Sequence, residues 1–201
     1  MKRIVTAILI FSCSVIALSS ASHGQTFKVG MTSKTLFYLP FYVGQKRGFY
    51  NQENLSVELI LIGRSDVQLQ ALLTGEINFG TLNADGVIAI NEKGANLKVV
   101  AGVDNAAPYF LIGGKNYKKV EDLKGARLGV SSLRGGATSI LLEYLKSKGL
   151  FFPRDFILTV ISGGTVSRLT ALETGAIAGA VLGFPYSDIA VDQGFTRLGD
   201  T

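Results

Sequence analysis

The sequence predicts an α/β fold of two similar lobes, each built from strands and the helices that connect them. Short apolar, β-prone runs alternate with longer amphipathic stretches, glycines follow the predicted helices, and a seven-residue segment recurs one hundred positions later. Such alternation is typical of βα units, whose strands pair in parallel. Each lobe is therefore expected to be Rossmann-like, with a ligand cleft between the two at the carboxyl ends of the strands.

The first lobe is assigned to residues 22–105. Its predicted elements are strands at 26–31, 55–62, 77–82 and 97–103 and helices at 39–50, 66–74 and 85–93. Gly75 and Gly94 stand where a helix needs a left-handed residue to end.

The second lobe is assigned to residues 106–201. The alternating pattern breaks at 104–108, where we place the hinge, and then begins again. The predicted elements are strands at 109–112, 127–131, 157–161, 178–182 and 195–198 and helices at 137–148, 165–174 and 186–192.

The repeat supports two lobes of similar construction. Residues 71–77 return at 171–177 with five identical residues, and each copy ends a predicted helix with Thr-Gly before a short strand. Chance is the alternative, because helix-glycine-strand turns are common.

The amino terminus has the order of a secretory signal peptide. Lys2 and Arg3 precede an apolar run at 4–18 and small residues at 19–22, so residues 1–21 are predicted to be removed on export to the periplasm. The apolar run is shorter than the roughly 20 residues of a membrane-spanning helix. Ser22 is the preferred start of the mature chain, and Gln25 is the alternative.

Export would leave the mature chain without thiol chemistry, because Cys13 is the only cysteine in the sequence. A lipid anchor at Cys13 is disfavoured, since Phe11 stands where such a signal needs a small side chain. His23, the only histidine, lies at or before the new terminus. These positions argue against Cys or His nucleophiles, Ser-His-Asp hydrolysis and zinc sites. We therefore expect that the protein holds no cofactor or metal and has no enzymatic activity.

The charge balance gives no sign of a nucleic-acid partner. The chain has 20 basic and 15 acidic residues, and Lys2 and Arg3 belong to the predicted signal. The basic residues are dispersed and do not alternate with aromatic residues as on a nucleic-acid-binding face.

Candidate ligand contacts lie in the turns that follow predicted strands. Such turns present hydroxyl groups and the free N–H groups of helix N-termini to the cleft. The predicted contacts are Thr32, Ser33, Thr81, Asn83, Ser131, Arg134, Gly135, Gly136, Ala137, Thr138, Thr165, Phe184 and Tyr186. Each of these residues also has a structural interpretation. The hydroxyl and amide side chains can be ordinary helix caps, Arg134 can be an ordinary surface charge, and Phe184 and Tyr186 can be ordinary core residues.

Four segments carry a resemblance to a known family. Residues 48–58, 71–79, 121–130 and 169–179, taken in order and spacing, resemble extracytoplasmic binding proteins of the nitrate, taurine and alkanesulfonate type, a family that includes thiamine-precursor binders. The resemblance implies a type II periplasmic-binding-protein fold that closes on a small organic molecule or anion. It also implies a monomer that delivers this ligand to the permease and ATPase of an ABC importer.

The resemblance leaves two alternatives open. The first alternative is an enzyme of the pyrimidine-synthase type, which shares this fold but depends on a reactive His and a Cys-rich motif. The second alternative is a shortened relative without function. Family members continue beyond the position of Thr201 and return to the first lobe. The first lobe is therefore expected to be incomplete, with apolar surface on its sheet left uncovered.

Overall fold

The structure is a computed structural model that describes residues 25–103 and 109–200. The predicted signal peptide, Cys13, His23 and the predicted hinge therefore lie outside the described residues. The elements of the first lobe are β1 (Thr26–Met31), a short 3-10 helix (Leu36–Tyr38), α1 (Leu39–Lys46), α2 (Phe49–Gln52), β2 (Ser56–Leu61), α3 (Ser65–Thr74), β3 (Phe79–Gly80) and α4 (Ala84–Asn91).

The first lobe has a three-stranded parallel sheet in the order β2-β1-β3. β1 pairs with β2 along its whole length, whereas β3 contributes only two residues to the ladder. Val29 and Met31 of β1 are buried, together with Ile77 before β3. Because β1 lies in the middle, its carboxyl end is held in place from both sides.

The elements of the second lobe are β4 (Tyr109–Gly113), a 3-10 helix (Val120–Leu123), β5 (Arg127–Val130), α5 (Gly136–Ser147), β6 (Ile157–Val160), α6 (Gly164–Glu173), β7 (Gly179–Gly183), α7 (Tyr186–Asp192) and β8 (Thr196–Asp200). The sheet order is β6-β5-β7-β4-β8. β5 runs parallel to β6 and β7, and β4 runs antiparallel to β7 and β8. The second sheet is therefore mixed rather than purely parallel.

Each face of the second sheet has its own buried cluster. Leu111 packs on one face with Leu141 and Leu145 of α5, and the neighbouring Ile112 packs on the other with Leu172 of α6. Successive residues of a strand point to opposite faces. The helices therefore cover the sheet on both sides, as an α/β core requires.

The sequence repeat is a structural repeat. Thr74 and Thr174 each donate from Oγ1 to main-chain carbonyls one turn earlier, and Gly75 and Gly175 follow with φ of 77° and 71°. Three residues further on, the Asn78 N–H donates to the Lys28 carbonyl at 2.9 Å in the first copy, and the Ala178 N–H donates to the Arg127 carbonyl at 2.8 Å in the second. This confirms that the two copies form the same helix-to-strand turn.

The predicted strand at 97–103 is wrong, because the structure has no strand there. Leu97 is held instead by the Asn91 side chain, whose amide donates to the Leu97 carbonyl at 2.8 Å and accepts from its N–H at 3.0 Å. Val99 and Val100 beyond it are exposed. A strand needs a partner for its N–H and C=O groups, and none of the described strands pairs with this segment.

The predicted helix at 39–50 is interrupted. Gly48 adopts φ of 71°, so α1 ends before it and the short α2 begins after it. The left-handed conformation breaks the helical path at a residue that bears it without strain.

Candidate ligand-binding cleft

A cavity of about 230 Å³ lies between the two lobes, where the turns after the strands of one lobe face those of the other. The turn after β1 contributes Thr32 and Ser33, and the turn after β5 contributes residues 131 and 134–137. This volume is below the roughly 300–1,000 Å³ that is common for drug-sized ligands. The cavity therefore suits a small molecule.

The lobes touch each other on one side of this cavity. The Leu36 N–H donates to the Phe184 carbonyl at 3.1 Å, and Thr165 Oγ1 donates to Ser33 Oγ at 3.4 Å. A Cβ atom at Gly164 would lie 2.9 Å from the Thr32 carbonyl oxygen. The glycine therefore lets the two backbones approach each other.

A second close approach joins α5 to the first lobe. A Cβ atom at Gly136 would overlap the Asn83 side chain, and one at Gly135 would overlap Ser65 Oγ. Both glycines are buried. The absence of side chains at the start of α5 is thus what permits the two lobes to meet here.

Arg168 of α6 is a buried cation on the cavity wall. It is 6% exposed, donates from Nε to the Val181 carbonyl at 3.1 Å and from Nη2 to Thr165 Oγ1 at 3.0 Å. Its Nη1 has no partner among the described residues. Burial lowers the pKa of Arg168 to about 10, so the guanidinium remains protonated at neutral pH.

Two further buried polar atoms without a partner belong to residues of the same cavity lining. Thr35 Oγ1 and Ser65 Oγ make no hydrogen bond among the described residues, and both side chains belong to the cavity lining. Buried polar atoms in folded proteins are nearly always paired. Together with Arg168 Nη1, three such atoms belong to residues of the cavity lining, and each atom is itself enclosed by protein.

The charged groups at the cavity are mostly basic. Lys93 and Arg134 join Arg168 in the lining, and Asp66 is the acidic residue there. Arg64 neutralises Asp66 through two hydrogen bonds of 3.1 and 2.6 Å, and these hold the pKa of Asp66 below its usual value. The cavity therefore keeps a positive character.

Aromatic side chains form the apolar part of the wall. Phe37 meets Tyr109 edge to face with ring centroids 5.6 Å apart, and Tyr38 is buried beside them. The Tyr38 hydroxyl shares a 2.6 Å hydrogen bond with Thr32 Oγ1. These rings offer contact area to the apolar body of a ligand.

The structure brings most of the predicted contacts together. Those on the cavity lining are Thr32, Ser33, Thr81, Asn83, Ser131, Arg134, Gly135, Gly136, Ala137 and Thr165.

The other three predicted contacts lie off the lining. Thr138 is buried and donates from Oγ1 to the Ser132 carbonyl at 2.6 Å, which is a local helix-start contact. Phe184 reaches the other lobe through its carbonyl, and its side chain is exposed. Tyr186 packs against the core cluster of α6 and α7, as the hydrophobic-core alternative stated.

Sequence reasoning missed Thr35, Ser65 and Arg168, and also the aromatic wall. The repeat held a signal for one of them: Arg168 stands one hundred positions after Gln68, and both are buried in their lobes. Charged residues are rarely buried without a partner, so an arginine at the position that Gln68 occupies in the first lobe indicates a special environment.

A larger apolar groove of about 730 Å³ lies against the sheet of the first lobe. The rings of Phe27 and Phe79 line it with their centroids 5.8 Å apart, and Val99, Val100 and Val103 belong to the same lining. Polar groups are sparse there, so the smaller interlobe cavity is the better candidate for ligand recognition.

Comparison with known proteins decides the family. The family described as NMT1/THI5 like matches residues 37–191, which is more than half of the chain. The chain belongs to the NMT1/THI5-like family. This chain is 24% identical over 148 residues to a protein described as the putative binding protein YtlA of Bacillus subtilis (strain 168), and the match covers 70% of this chain and 44% of YtlA.

Solved structures show the same fold as this NMT1/THI5-like chain. The alkanesulfonate-binding protein SsuA of Xanthomonas axonopodis pv. citri, bound to MOPS, has a TM-score of 0.72 at 21% identity, covering 90% of this chain and 62% of SsuA. The nitrate-binding protein NrtA of Synechocystis PCC 6803 has a TM-score of 0.71 at 16% identity, covering 86% of this chain and 50% of NrtA. These likenesses establish the periplasmic-binding-protein fold.

The NMT1/THI5-like chain thus spans about half of its relatives' length, from 44% of YtlA to 62% of SsuA. Among residues 25–103 and 109–200, no helix is long and apolar enough to span a bilayer.

Proposed function

We propose that this chain is the extracytoplasmic solute-binding component of an ABC importer, and that it captures a small organic molecule or anion in the cleft between its lobes. It acts by binding and closure and carries out no chemistry. SsuA and NrtA are binding proteins with this fold, which supports the proposal by analogy.

One observation carries the proposal. A cavity of about 230 Å³ lies between the lobes, and its wall combines the turns that follow β1 and β5 with three basic residues, Lys93, Arg134 and Arg168. A ligand bound in this cavity would contact residues of both lobes at once and hold the lobes together.

The cellular setting is part of the same proposal. Residues 1–21 direct export and the mature chain works in the periplasm as a monomer, where it delivers its ligand to a permease and ATPase. The basic start and apolar run of this segment support export.

A thermal-shift screen of the purified mature chain tests the proposed function. The panel contains sulfonates, carboxylates, nitrate and pyrimidines. A ligand that binds only the folded state raises the melting temperature Tm with its concentration, so at least one class should do so. A flat response across the whole panel would argue against solute binding.

A variant that obstructs closure links such a signal to the cleft. Gly136→Asp places a side chain where Asn83 of the first lobe now lies, so the lobes should stay apart and the ligand-induced rise in Tm should disappear. Gly102→Asp is the matched control, because it adds the same charge at a glycine with open space around it. Undiminished binding by a folded Gly136→Asp variant would place the ligand elsewhere.

A further inference from the structure

We propose that the mature chain binds the surface of an anionic lipid bilayer through one end of its second lobe. The contact is made by a basic-aromatic surface, which consists of Lys124, Lys148, Phe151, Phe152 and Arg154. These residues are all exposed. The inference goes beyond the proposed function, because it concerns a surface outside the cleft and a partner other than the captured solute.

The basic-aromatic surface lies at the end of the second lobe that is opposite to the cleft. Ser131 follows the carboxyl end of β5 and lines the interlobe cavity. Lys124 precedes β5, and Arg154 precedes the parallel strand β6, so both lie at the other ends of these strands. A chain bound through this surface therefore keeps its cleft open to solvent.

Two adjacent phenylalanines form the apolar part of the surface. Phe151 is 43% exposed and Phe152 is 46% exposed, in the loop between α5 and β6. Single exposed apolar side chains are common, whereas adjacent ones form a patch that often marks a contact site. Aromatic side chains bordered by basic residues are typical of proteins that bind at the boundary between lipid head groups and acyl chains.

Hydrogen bonds and packing hold this loop in a defined shape. The Phe151 N–H donates to the Asp155 carboxylate at 2.9 Å, and the Gly125 N–H donates to the Asp155 carbonyl at 2.6 Å. Phe152 packs on the buried Phe156 with ring centroids 5.8 Å apart. The two exposed rings are therefore held in place before a partner binds, which reduces the entropy lost on binding.

The charges around the two rings are basic. Arg154 neutralises Asp155 at 2.7 Å, whereas no ion pair among the described residues includes Lys124 or Lys148. Lys124 lies close to the loop, because its charge adds to the hydrogen bonds from Arg154 and Phe151 that lower the pKa of Asp155. The fold thus brings Lys124 beside a loop that is distant from it in the sequence.

The neighbouring acidic residues are balanced by lysines of their own. In α5, Glu143 pairs with Lys146 at 3.3 Å. In the segment before β5, two lysines stand beside two acidic residues, namely Lys118, Lys119, Glu121 and Asp122. The ammonium groups of Lys124 and Lys148 therefore leave the surface with a net positive charge, which attracts anionic lipid head groups.

Lipid suits this surface better than nucleic acid does. Bases of single-stranded nucleic acids stack on open ring faces. The Arg154 guanidinium already lies over the Phe151 ring, 4.9 Å from its centroid, and the Phe152 ring packs on Phe156. Exposed ring edges can still enter the head-group region of a bilayer, so these contacts favour a membrane surface.

Vesicle sedimentation of the purified mature chain tests the proposal. The vesicles contain either phosphatidylcholine alone or equal parts of phosphatidylcholine and phosphatidylglycerol. The chain should bind the anionic vesicles and not the neutral ones, and added salt should weaken the binding because it screens the charges.

The double variant Lys124→Gln/Lys148→Gln removes the unpaired charges of the surface. It should bind anionic vesicles roughly tenfold or more weakly than the wild type, because each basic residue near a membrane contributes a factor of roughly five. Lys28→Gln/Lys46→Gln is the matched control, since it removes the same charge from exposed positions of the first lobe. This control should bind the anionic vesicles as the wild type does.

Fluorescence measures whether the rings enter the bilayer. The sequence contains no tryptophan, so Phe152→Trp places a single reporter in the basic-aromatic surface. Its emission should shift to shorter wavelength on anionic vesicles. Phe49→Trp is the control, because Phe49 of the first lobe is 50% exposed and follows the basic residues Lys46 and Arg47. The emission of Phe49→Trp should not shift.

Three results would overturn the inference. They are equal or absent binding to the two kinds of vesicle, an equal loss of binding in the two lysine double variants, and an unshifted emission of Phe152→Trp on anionic vesicles. A chain that binds a single-stranded oligonucleotide but no vesicles would have a nucleic-acid face instead of a membrane face. None of these outcomes bears on solute binding, which the thermal-shift screen tests separately.

Discussion

Buried charged residues of this protein fall into two kinds, and Asp155 represents the kind that is fully paired. It is 4% exposed, and its Oδ2 accepts from the Phe151 N–H at 2.9 Å and from Arg154 Nη2 at 2.7 Å. Its carbonyl also accepts from the Gly125 N–H at 2.6 Å. The Arg154 hydrogen bond, with the Phe151 N–H, lowers the pKa of Asp155 to about 2. Asp155 thus joins the loop after α5 to the start of β5.

The pKa of Asp155 predicts how stability depends on pH. Its folded-state pKa lies below the value of about 3.9 of an unfolded chain, so the stabilisation is complete above that value and disappears as pH falls toward 2. Asp155→Asn should therefore lower Tm at pH 7, and the difference from the wild type should shrink between pH 5 and 2. Thermal melts across this range measure it, with Asp192→Asn at an exposed position as the control. A difference that stays constant with pH would contradict the role of ionisation.

Arg168 represents the other kind, and it shows what single-residue reasoning on the sequence misses. Thr32, Ser33, Ser131 and residues 134–137 were predicted as contacts because turns after strands face a cleft, and these residues line the cavity. Arg168 lies inside a helix, and its place in the repeat, opposite Gln68, does not show which face of that helix points to the cavity. Only the packing of α6 against β7 shows that its guanidinium is buried beside Thr165.

At the scale of elements, the helix-glycine-strand turn is the unit that both lobes repeat. Gly75 and Gly175 have left-handed φ angles, and a Cβ atom at either would meet nothing within 4 Å. The requirement for glycine at these two turns is therefore a matter of backbone conformation and not of space.

Alanine substitutions at these turns follow from that distinction. Gly75→Ala and Gly175→Ala should each lower the free energy of unfolding by about 1 kcal/mol, because a residue with a Cβ is disfavoured at positive φ. Gly86→Ala is the control: Gly86 lies inside α4 with open space around it, so alanine should leave stability unchanged or raise it. Urea unfolding measures all three. Equal effects at all three positions would contradict a conformational cause.

Elements were predictable where the local pattern determined them. The strands and helices of the second lobe were confirmed, and so were the ends of α3 and α6, because capping residues and apolar periodicity are local signals. The prediction of a strand at 97–103 was wrong for a non-local reason: LKVVAGV has strand-forming residues, but none of the described strands pairs with it. Pairing between distant segments is absent from any local pattern.

At the scale of the whole molecule, the two lobes differ in how much core they contain. Among residues 25–103 and 109–200, the two buried clusters of apolar residues belong to the second lobe, where they cover the two faces of a five-stranded sheet. The first lobe has three strands and buries a few residues such as Met31 and Ile77. Its open groove leaves Phe79 at 42% and Val100 at 75% exposed.

This asymmetry predicts a gradient of hydrogen exchange across the molecule. Amide groups exchange at low opening free energy where few apolar contacts cover the backbone. The amides of β4, β5 and β7 should therefore exchange most slowly, and those of β3 and residues 97–103 should exchange fastest. Hydrogen exchange of the monomeric chain, followed by mass spectrometry, measures this order directly.

A ligand that closes the cleft should slow exchange at residues 32–35 and 163–165, where the lobes touch, while exchange in β3 stays fast. Equal protection of both sheets in the ligand-free monomer would show that the first lobe has a stabilising core that its packing does not reveal.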